Sequence, residues 1–325
     1  MKNLLKLSKL TFLLFVGFSI QSCSDDDDVT TPTGPSNIVE IALDTPDLSN
    51  LVAALSVADG NLVDVLSGGE FTVLAPTNEA FETFLAANGF MSLSEVPTDV
   101  LSNILLNHVI SGTVNSTNLV DAGSGYSTTN ASNMDGDNLS LYFDTSSGVT
   151  FNGISSVVAA DIVASNGIVH VVDEVIGLPT VVTFAVSNPA LSTLVAALTT
   201  EGLSVDIVSI LSSSDEPSPF TVFAPTNDAF GSLLAELELN ALGDIPVDIL
   251  EATLGTHVAP EANVRSTDLV DGMSVNTISS TITVSLSDGA KLIDPNGRES
   301  NIVAVDIQAY NGVVHVIDNV LLPQL

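Results

Sequence analysis

The chain has no tryptophan and a single cysteine, and only 6 of its 325 residues are lysine or arginine. Each shortage removes a class of protein. One cysteine cannot close an internal disulfide, so no such staple holds the fold. With no Trp and aromatics at 5%, an aromatic sugar-stacking platform is disfavoured. Six bases against 39 acids give a formal net charge of −33. Such a surface repels phosphate backbones, which excludes nucleic acid as a partner. What is abundant is aliphatic: hydrophobic residues make up 45% of the chain. Cores must be built from Val, Leu, Ile and Ala with some Phe, and the length suits about two domains.

Three of the six bases, Lys2, Lys6 and Lys9, precede an apolar run from Leu10 to Ile20. A basic segment ahead of an apolar run is the pattern of a secretory leader. The run is too short for a spanning helix, which takes about 20 residues. Ile20-Gln21-Ser22-Cys23 resembles the cleavage site of a bacterial lipoprotein, with Gln21 where a small residue is more usual. The resemblance implies a leader of residues 1–22 and lipid on Cys23, with more than one acyl chain for stable anchoring. Loss of the leader's three lysines takes the charge from −33 to −36 and leaves Arg265, Lys291 and Arg298 as the only bases. Next come Ser24, Asp25, Asp26, Asp27 and Asp28, then a Thr/Pro/Gly/Ser-rich stretch to residue 37. Adjacent like charges repel and stay extended, so residues 23–37 read as an acidic flexible tether. The Ser-plus-Asp cluster directly after the cysteine resembles the surface-export signal of Bacteroidota lipoproteins. That implies display outside the outer membrane, the alternative being a periplasm-facing protein.

The rest of the chain repeats itself. Phe71-Thr72-Val73-Leu74-Ala75-Pro76-Thr77-Asn78-Glu79-Ala80-Phe81 returns as Phe220-Thr221-Val222-Phe223-Ala224-Pro225-Thr226-Asn227-Asp228-Ala229-Phe230, a spacing of 149. His108-Val109 returns as His257-Val258 at the same spacing. Asn166-Gly167-Ile168-Val169-His170-Val171-Val172-Asp173 returns as Asn311-Gly312-Val313-Val314-His315-Val316-Ile317-Asp318 at a spacing of 145. The period is too long for a solenoid unit and marks a duplicated globular domain, with a boundary near Leu178-Pro179-Thr180.

Each copy opens with helices and closes with strands. Leu48, Leu51, Val52 and Leu55 repeat at helical spacing, with Asp47 as the expected N-cap; Asn188–Leu198 is the counterpart, with Pro189 in its first turn. Phe71–Ala75 reads as a short strand. Pro76-Thr77 then opens a helix with Phe81, Phe84 and Leu85 on one face. A third helix is expected from Thr98 to Val109, with Val100, Leu101, Ile104, Leu105 and His108 on its apolar side. Leu139–Phe143, Val157–Val163 and Ile168–Val175 read as strands. Asn166-Gly167 and Asn311-Gly312 predict two-residue hairpin turns at positive φ. The last strand of each copy is apolar on both faces, so it belongs inside a sheet.

These blocks resemble the fasciclin (FAS1) domain over residues 38–178 and again over 181–323. The resemblance implies an α+β fold, a β-wedge or sandwich of about seven strands flanked by helices, and extracellular work in adhesion without catalysis or a cofactor. Its motif residues here are Pro76, Thr77, Asn78, His108, Asn166, Gly167, His170 and Asp173. In the second copy they are Pro225, Thr226, Asn227, His257, Asn311, Gly312, His315 and Asp318. Many members carry Tyr before the helix-terminal His, a pair linked to integrin binding in animal relatives. Here Asn107 and Thr256 stand in that place, so that partner is not carried over.

The four histidines are the natural candidates for metal or acid–base chemistry, with Asp161 or Asp173 as further ligands. A metal would want three or four ligands, and cysteine is unavailable. His108 shares an apolar face with Ile104 and Leu105, and His170 with Ile168 and Val172. Each reads as a buried neutral imidazole bonded to backbone. The Ala-Pro-Thr-Asn turns read as helix caps through Thr77 or Asn78 and Thr226 or Asn227. Asp135-Gly136-Asp137 and Asp294-Pro295-Asn296-Gly297 read as turns, lacking the ligand series of a calcium loop. No hydrolase, nucleotide or zincin motif is present. The expected function is therefore a lipid-anchored adhesion protein. Its partners would be the membrane, through the lipid, and an extracellular protein or polysaccharide. The alternative is a lipoprotein carrying a small apolar ligand or glycan.

Overall fold

The computed structural model describes residues 35–324, so the leader, Cys23 and Ser24 to Asp28 lie outside the described residues. The first domain starts with α1 (Ile38–Asp44), a 3-10 turn at Pro46–Leu48, α2 (Ser49–Val57) and α3 (Leu62–Gly68). Then come β1 (Phe71–Pro76), α4 (Asn78–Ala87), α5 (Thr98–Leu106), β2 (Val109–Ser111) and α6 (Ser116–Ala122). It ends in β3 (Ser124–Ser132), β4 (Asn138–Asp144), β5 (Thr150–Phe151), β6 (Ser155–Ala164) and β7 (Gly167–Val172). The second domain repeats the plan with α7 (Val181–Ser187), α8 (Ser192–Leu198), α9 (Ile207–Ser212), β8 (Phe220–Pro225), α10 (Asn227–Glu236) and α11 (Val247–Thr256). Its remaining strands are β9 (Val258–Ala259), β10 (Ser274–Asn276), β11 (Thr281–Ser285), β12 (Lys291–Ile293), β13 (Glu299–Ala309) and β14 (Gly312–Ile317).

Both domains are α+β with seven strands each. In the first, β1 to β7 close into a barrel, and β7 returns to lie parallel to β1. In the second, the order is β10-β11-β12-β13-β14-β8-β9, with β14 parallel to β8. The last strand of each copy thus sits between two neighbours, as its two apolar faces required. Alternation along β1 feeds two cores. Val73 and Ala75 pack under the helices with Leu48, Leu51, Phe81 and Leu101, while Leu74 points into the barrel with Leu141, Phe143 and Phe151. β8 does the same with Val222 and Ala224 on one side and Phe223 on the other.

Several boundaries depart from the sequence reading. Asp47 is exposed inside the 3-10 turn and caps nothing. The counterpart Asn188–Leu198 likewise splits into a 3-10 turn, Pro189–Leu191, followed by α8. Pro76 ends β1 instead of opening α4, and Pro225 ends β8. α5 stops at Leu106, because Val109 joins β2; Val100 is 36% exposed. The final hairpins turn on Ser165–Asn166 and Tyr310–Asn311, since Ala164 pairs Gly167 and Ala309 pairs Gly312. Only the glycines have positive φ, +146° and +150°. They are required by close approach: a Cβ on either would collide with the carbonyl oxygen of Phe71 or Phe220 in the parallel neighbour.

The two domains meet through β4 and the 133–137 turn of the first and β13, α7 and residues 263–265 of the second. Tyr126 and Tyr142, paired with each other across β3 and β4, pack their side chains with the second domain's helical core. Their rings lie 5.1 Å apart, and Tyr126 meets Phe184 edge-on at 5.7 Å. Asn188 Nδ2 donates to the Tyr126 hydroxyl at 3.1 Å. The Gln308 N–H donates to Ser140 Oγ at 3.0 Å, and Gln308 Oε1 accepts from Asn133 Nδ2 at 3.1 Å. At the rim, Asn263 Nδ2 reaches both Asp135 and Asp137. Arg265 Nε lies 2.9 Å from Asp137 Oδ2, near enough for an ion pair but off the line of a hydrogen bond.

Candidate functional site: the motif residues and the domain interface

The motif residues divide the backbone work between them. Thr77 caps α4, its Oγ1 accepting from the Ala80 N–H at 3.2 Å; Thr226 caps α10 through Ala229. Asn78 turns the other way. Its Oδ1 accepts from Asn50 N–H at 2.8 Å and its Nδ2 donates to the Pro46 carbonyl at 3.0 Å, so it caps α2 from outside that helix. Asn227 does the same for α8 through Thr193 N–H and the Pro189 carbonyl. One tetrapeptide thereby satisfies orphan donors of two helices.

Asn166 is a clip. Its Oδ1 takes the Ile38 N–H at 2.9 Å, and its Nδ2 donates to the Leu66 and Gly69 carbonyls. Asn311, fully buried, does the same with Val181 N–H, Leu211 and Ser213 at 2.9, 2.8 and 2.7 Å. Each clip fastens the start of the first helix and the end of the third to the final hairpin. Asp173 and Asp318 are hairpin braces, accepting from Ser156 N–H and Asn301 N–H.

The histidines leave no ring nitrogen free. His108 Nδ1 donates to the Ile104 carbonyl at 2.8 Å, and its Nε2 accepts the Ile176 N–H at 2.9 Å. His257 repeats this with Thr253 and Leu321. His170 holds the opposite tautomer: Nε2 donates to Val114 at 2.9 Å and Nδ1 faces the Asp161 N–H at 3.3 Å. His315 matches it with Val264 and Asp306. A neutral imidazole has one donor and one acceptor, and all four rings have spent both. Burial pushes His108 and His257 down to about 4 against the pull of their carbonyl partners, and it lowers His315 as well.

Asp161 does not join His170 as a ligand. It sits at φ 59° in the bulge of β6 and turns its carboxylate to the Ser116 N–H and hydroxyl, which hold it below the usual carboxylate range. Asp306 is placed alike on Ser266. Asp135 and Asp137 donate their N–H groups to Asn133 Oδ1 and turn their carboxylates toward the second domain. Asp294 is a buried turn-former accepting from Asn296, Arg298 and Leu322 N–H groups. Among the described residues no group of three or more His, Cys, Asp or Glu converges on one point, and no single helix is long and apolar enough to cross a membrane.

The sequence reading missed the interface. Tyr126, Tyr142, Gln308 and Arg265 carry no motif. The only hint was that two of the three tyrosines in the chain fall in the first copy's strands. Burial raises the Tyr126 phenol to about 12, against the Asn188 bond, and raises Tyr142 too.

Two seven-stranded domains with a parallel pairing of first and last strand, each clipped by the same Asn and His set, define a tandem pair of one α+β module. The chain belongs to the fasciclin family: the fasciclin domain model matches residues 46–179 and 189–323. It is 30% identical over 257 residues to the transforming growth factor-beta-induced protein ig-h3 of Sus scrofa, a match spanning 78% of this chain and 35% of that protein. It is 37% identical over 146 residues to protein sll1483 of Synechocystis, spanning 45% of this chain and 74% of that one. Over 94 residues it is 45% identical to the cell surface glycolipoprotein MPB83 of Mycobacterium bovis, 25% of this chain and 41% of that protein. Its fold matches a FAS1 domain pair from the insect cell adhesion molecule fasciclin I with a TM-score of 0.51 at 21% identity, covering 85% of this chain and 97% of that one.

Proposed function

We propose that this chain is a non-catalytic adhesion protein, anchored by lipid on Cys23 and displayed outside the outer membrane on an acidic tether of residues 23–37. In this reading residues 1–22 are a cleaved leader, and 38–178 and 181–323 are the two binding modules. Its partner is an extracellular protein or polysaccharide. The observation that carries the reading is the fasciclin pair itself, in which every motif imidazole and amide is consumed by backbone and none is left to act on a substrate. The family's presence in a cell adhesion molecule and a cell surface glycolipoprotein supports it. Two modules on one chain gain avidity when both reach the same target.

The test is protease shaving of intact cells, comparing the native chain with Cys23→Ala and with Asp25 to Asp28 replaced. The native protein should be shaved, Cys23→Ala should lose membrane attachment, and the Asp replacement should become protected. Protection of the native protein would place it facing the periplasm. Unchanged attachment and aggregation in a deletion strain would count against adhesion.

A further inference from the structure

The two domains differ around α5 of the first and α11 of the second. In the first, the seam between α3 and α5 is closed, while another side of α5 opens a separate cleft of about 320 Å³ lined by Asp99, Asn103, Leu106, Ser132 and Tyr310. Asn103 of α5 accepts from the Ser132 N–H at 3.0 Å and donates to the Ser132 carbonyl at 2.8 Å, pinning the end of β3 to the helix. Leu106 packs half-buried one turn on. The void left between α3 and α5, lined by Leu62, Leu66, Leu105 and Leu106, is about 10 Å³. At the 149 spacing, α11 carries Ala252 and Gly255 in place of Asn103 and Leu106. Neither side chain can hold a strand. β10 ends at Asn276, and the chain crosses the end of α11 at Ile278 and Ser279, whose N–H groups donate to the Val258 and Gly255 carbonyls, close enough that a Cβ on Gly255 would collide with the Ser279 hydroxyl. A groove of about 570 Å³ opens between α9, α11 and these loops.

The floor of the groove is made of core residues, Leu211, Leu254 and Val258. Its charged lining residues are both acids, Asp248 and Glu251, and no Lys, Arg or His lines it. The Ser204 N–H, at 2.7 Å, and hydroxyl both donate to Glu251 and hold its carboxyl below the usual range, so it is charged at neutral pH. The volume falls within the ordinary small-ligand range of about 300–1,000 Å³, and an apolar floor holds water poorly. Carboxylates at the mouth, in a chain this acidic, turn away fatty-acid and phosphate head groups.

We propose that this groove of the second domain binds one uncharged apolar small molecule, a site that the closed seam between α3 and α5 of the first domain does not offer. The inference is independent of where the protein is displayed.

It is tested by titrating the chain lacking residues 1–23 with the neutral dye N-phenyl-1-naphthylamine, whose emission rises in apolar surroundings. Saturable binding of one dye per chain is expected, with no displacement by dodecanoate. Ala252→Phe should fill the groove and weaken binding by at least about tenfold, with circular dichroism showing an unfolding midpoint no lower than that of the parent. Val205→Phe narrows the mouth from a position 42% exposed, and its affinity decides the question if Ala252→Phe does not fold. Absence of saturable binding, or affinity unchanged in the folded filled variant, would overturn the proposal. Displacement by dodecanoate at dye-like concentrations would overturn its assignment to uncharged ligands.

Discussion

Asn311 is the residue whose removal should cost the second domain most for its size. It is fully buried, and its amide satisfies three backbone groups, the Val181 N–H and the carbonyls of Leu211 and Ser213. Asn311→Ala strands all three. A polar group left buried and unpaired costs about 1–3 kcal/mol, and water can reach the Ser213 carbonyl more easily than the other two, so the sum is about 4 kcal/mol. At about 2–4 °C per kcal/mol for a domain of this size, the unfolding midpoint should fall by about 10 °C. The first domain supplies an internal control. Asn166 makes the same three bonds from a part-buried position, so Asn166→Ala should cost about half as much. Urea and thermal unfolding of both variants, followed by circular dichroism, decide the matter. An Asn311→Ala cost below about 1 kcal/mol, or one no larger than that of Asn166→Ala, would refute the clip.

The chain should lose stability as pH falls from 6.5 toward 4. His108 and His257 are held neutral when folded and have pKa values below their unfolded 6.5, so their contribution is complete above 6.5 and drains as the unfolded state takes up protons. Each is worth on the order of 3 kcal/mol in full, and a His108→Gln, His257→Gln double variant should flatten the stability profile between pH 6.5 and 5, before carboxylates titrate. Gly312→Ala forces a Cβ into the Phe220 carbonyl and should cost more than about 4 kcal/mol or abolish folding of the second domain, read by far-ultraviolet circular dichroism. Arg265→Ala removes a half-exposed ion pair and should cost less than about 1 kcal/mol, an effect that vanishes in high salt when the midpoints are compared.

Strands β1, β8, β7 and β14 and helices α4 and α10 were legible because their apolar, β-branched and helix-spaced residues mark each element locally, whatever it pairs with. Positions whose partners lie far along the chain were harder. Asn78 reads as a local cap, yet it serves α2; Asn166 reads as a turn-former, yet it bridges to Ile38 and Leu66. Asp47 has the chemistry of a cap but falls inside a turn that Asn78 caps instead. Tyr126 and Tyr142 pack with a second domain, which no pattern within the first reveals. The groove depends on side chains that are missing, and laying α5 over α11 at the 149 spacing would have exposed it at Ala252 and Gly255.

The parallel pairing of first and last strand also governs how the chain reaches its folded state. Phe71 pairs with Gly167 and Phe220 with Gly312, so neither sheet is complete until nearly the whole of its domain has emerged. Such distant pairings place each domain among slow folders, because loop-closure entropy must be met before the contact rewards it. A chain threaded out from its N-terminus therefore finishes the first sheet while Tyr126 and Tyr142 still face water, uncovered until Phe184 and the helices around it follow. During that interval the half-made protein shows an apolar face that its finished form hides, and a chaperone guarding it would act then.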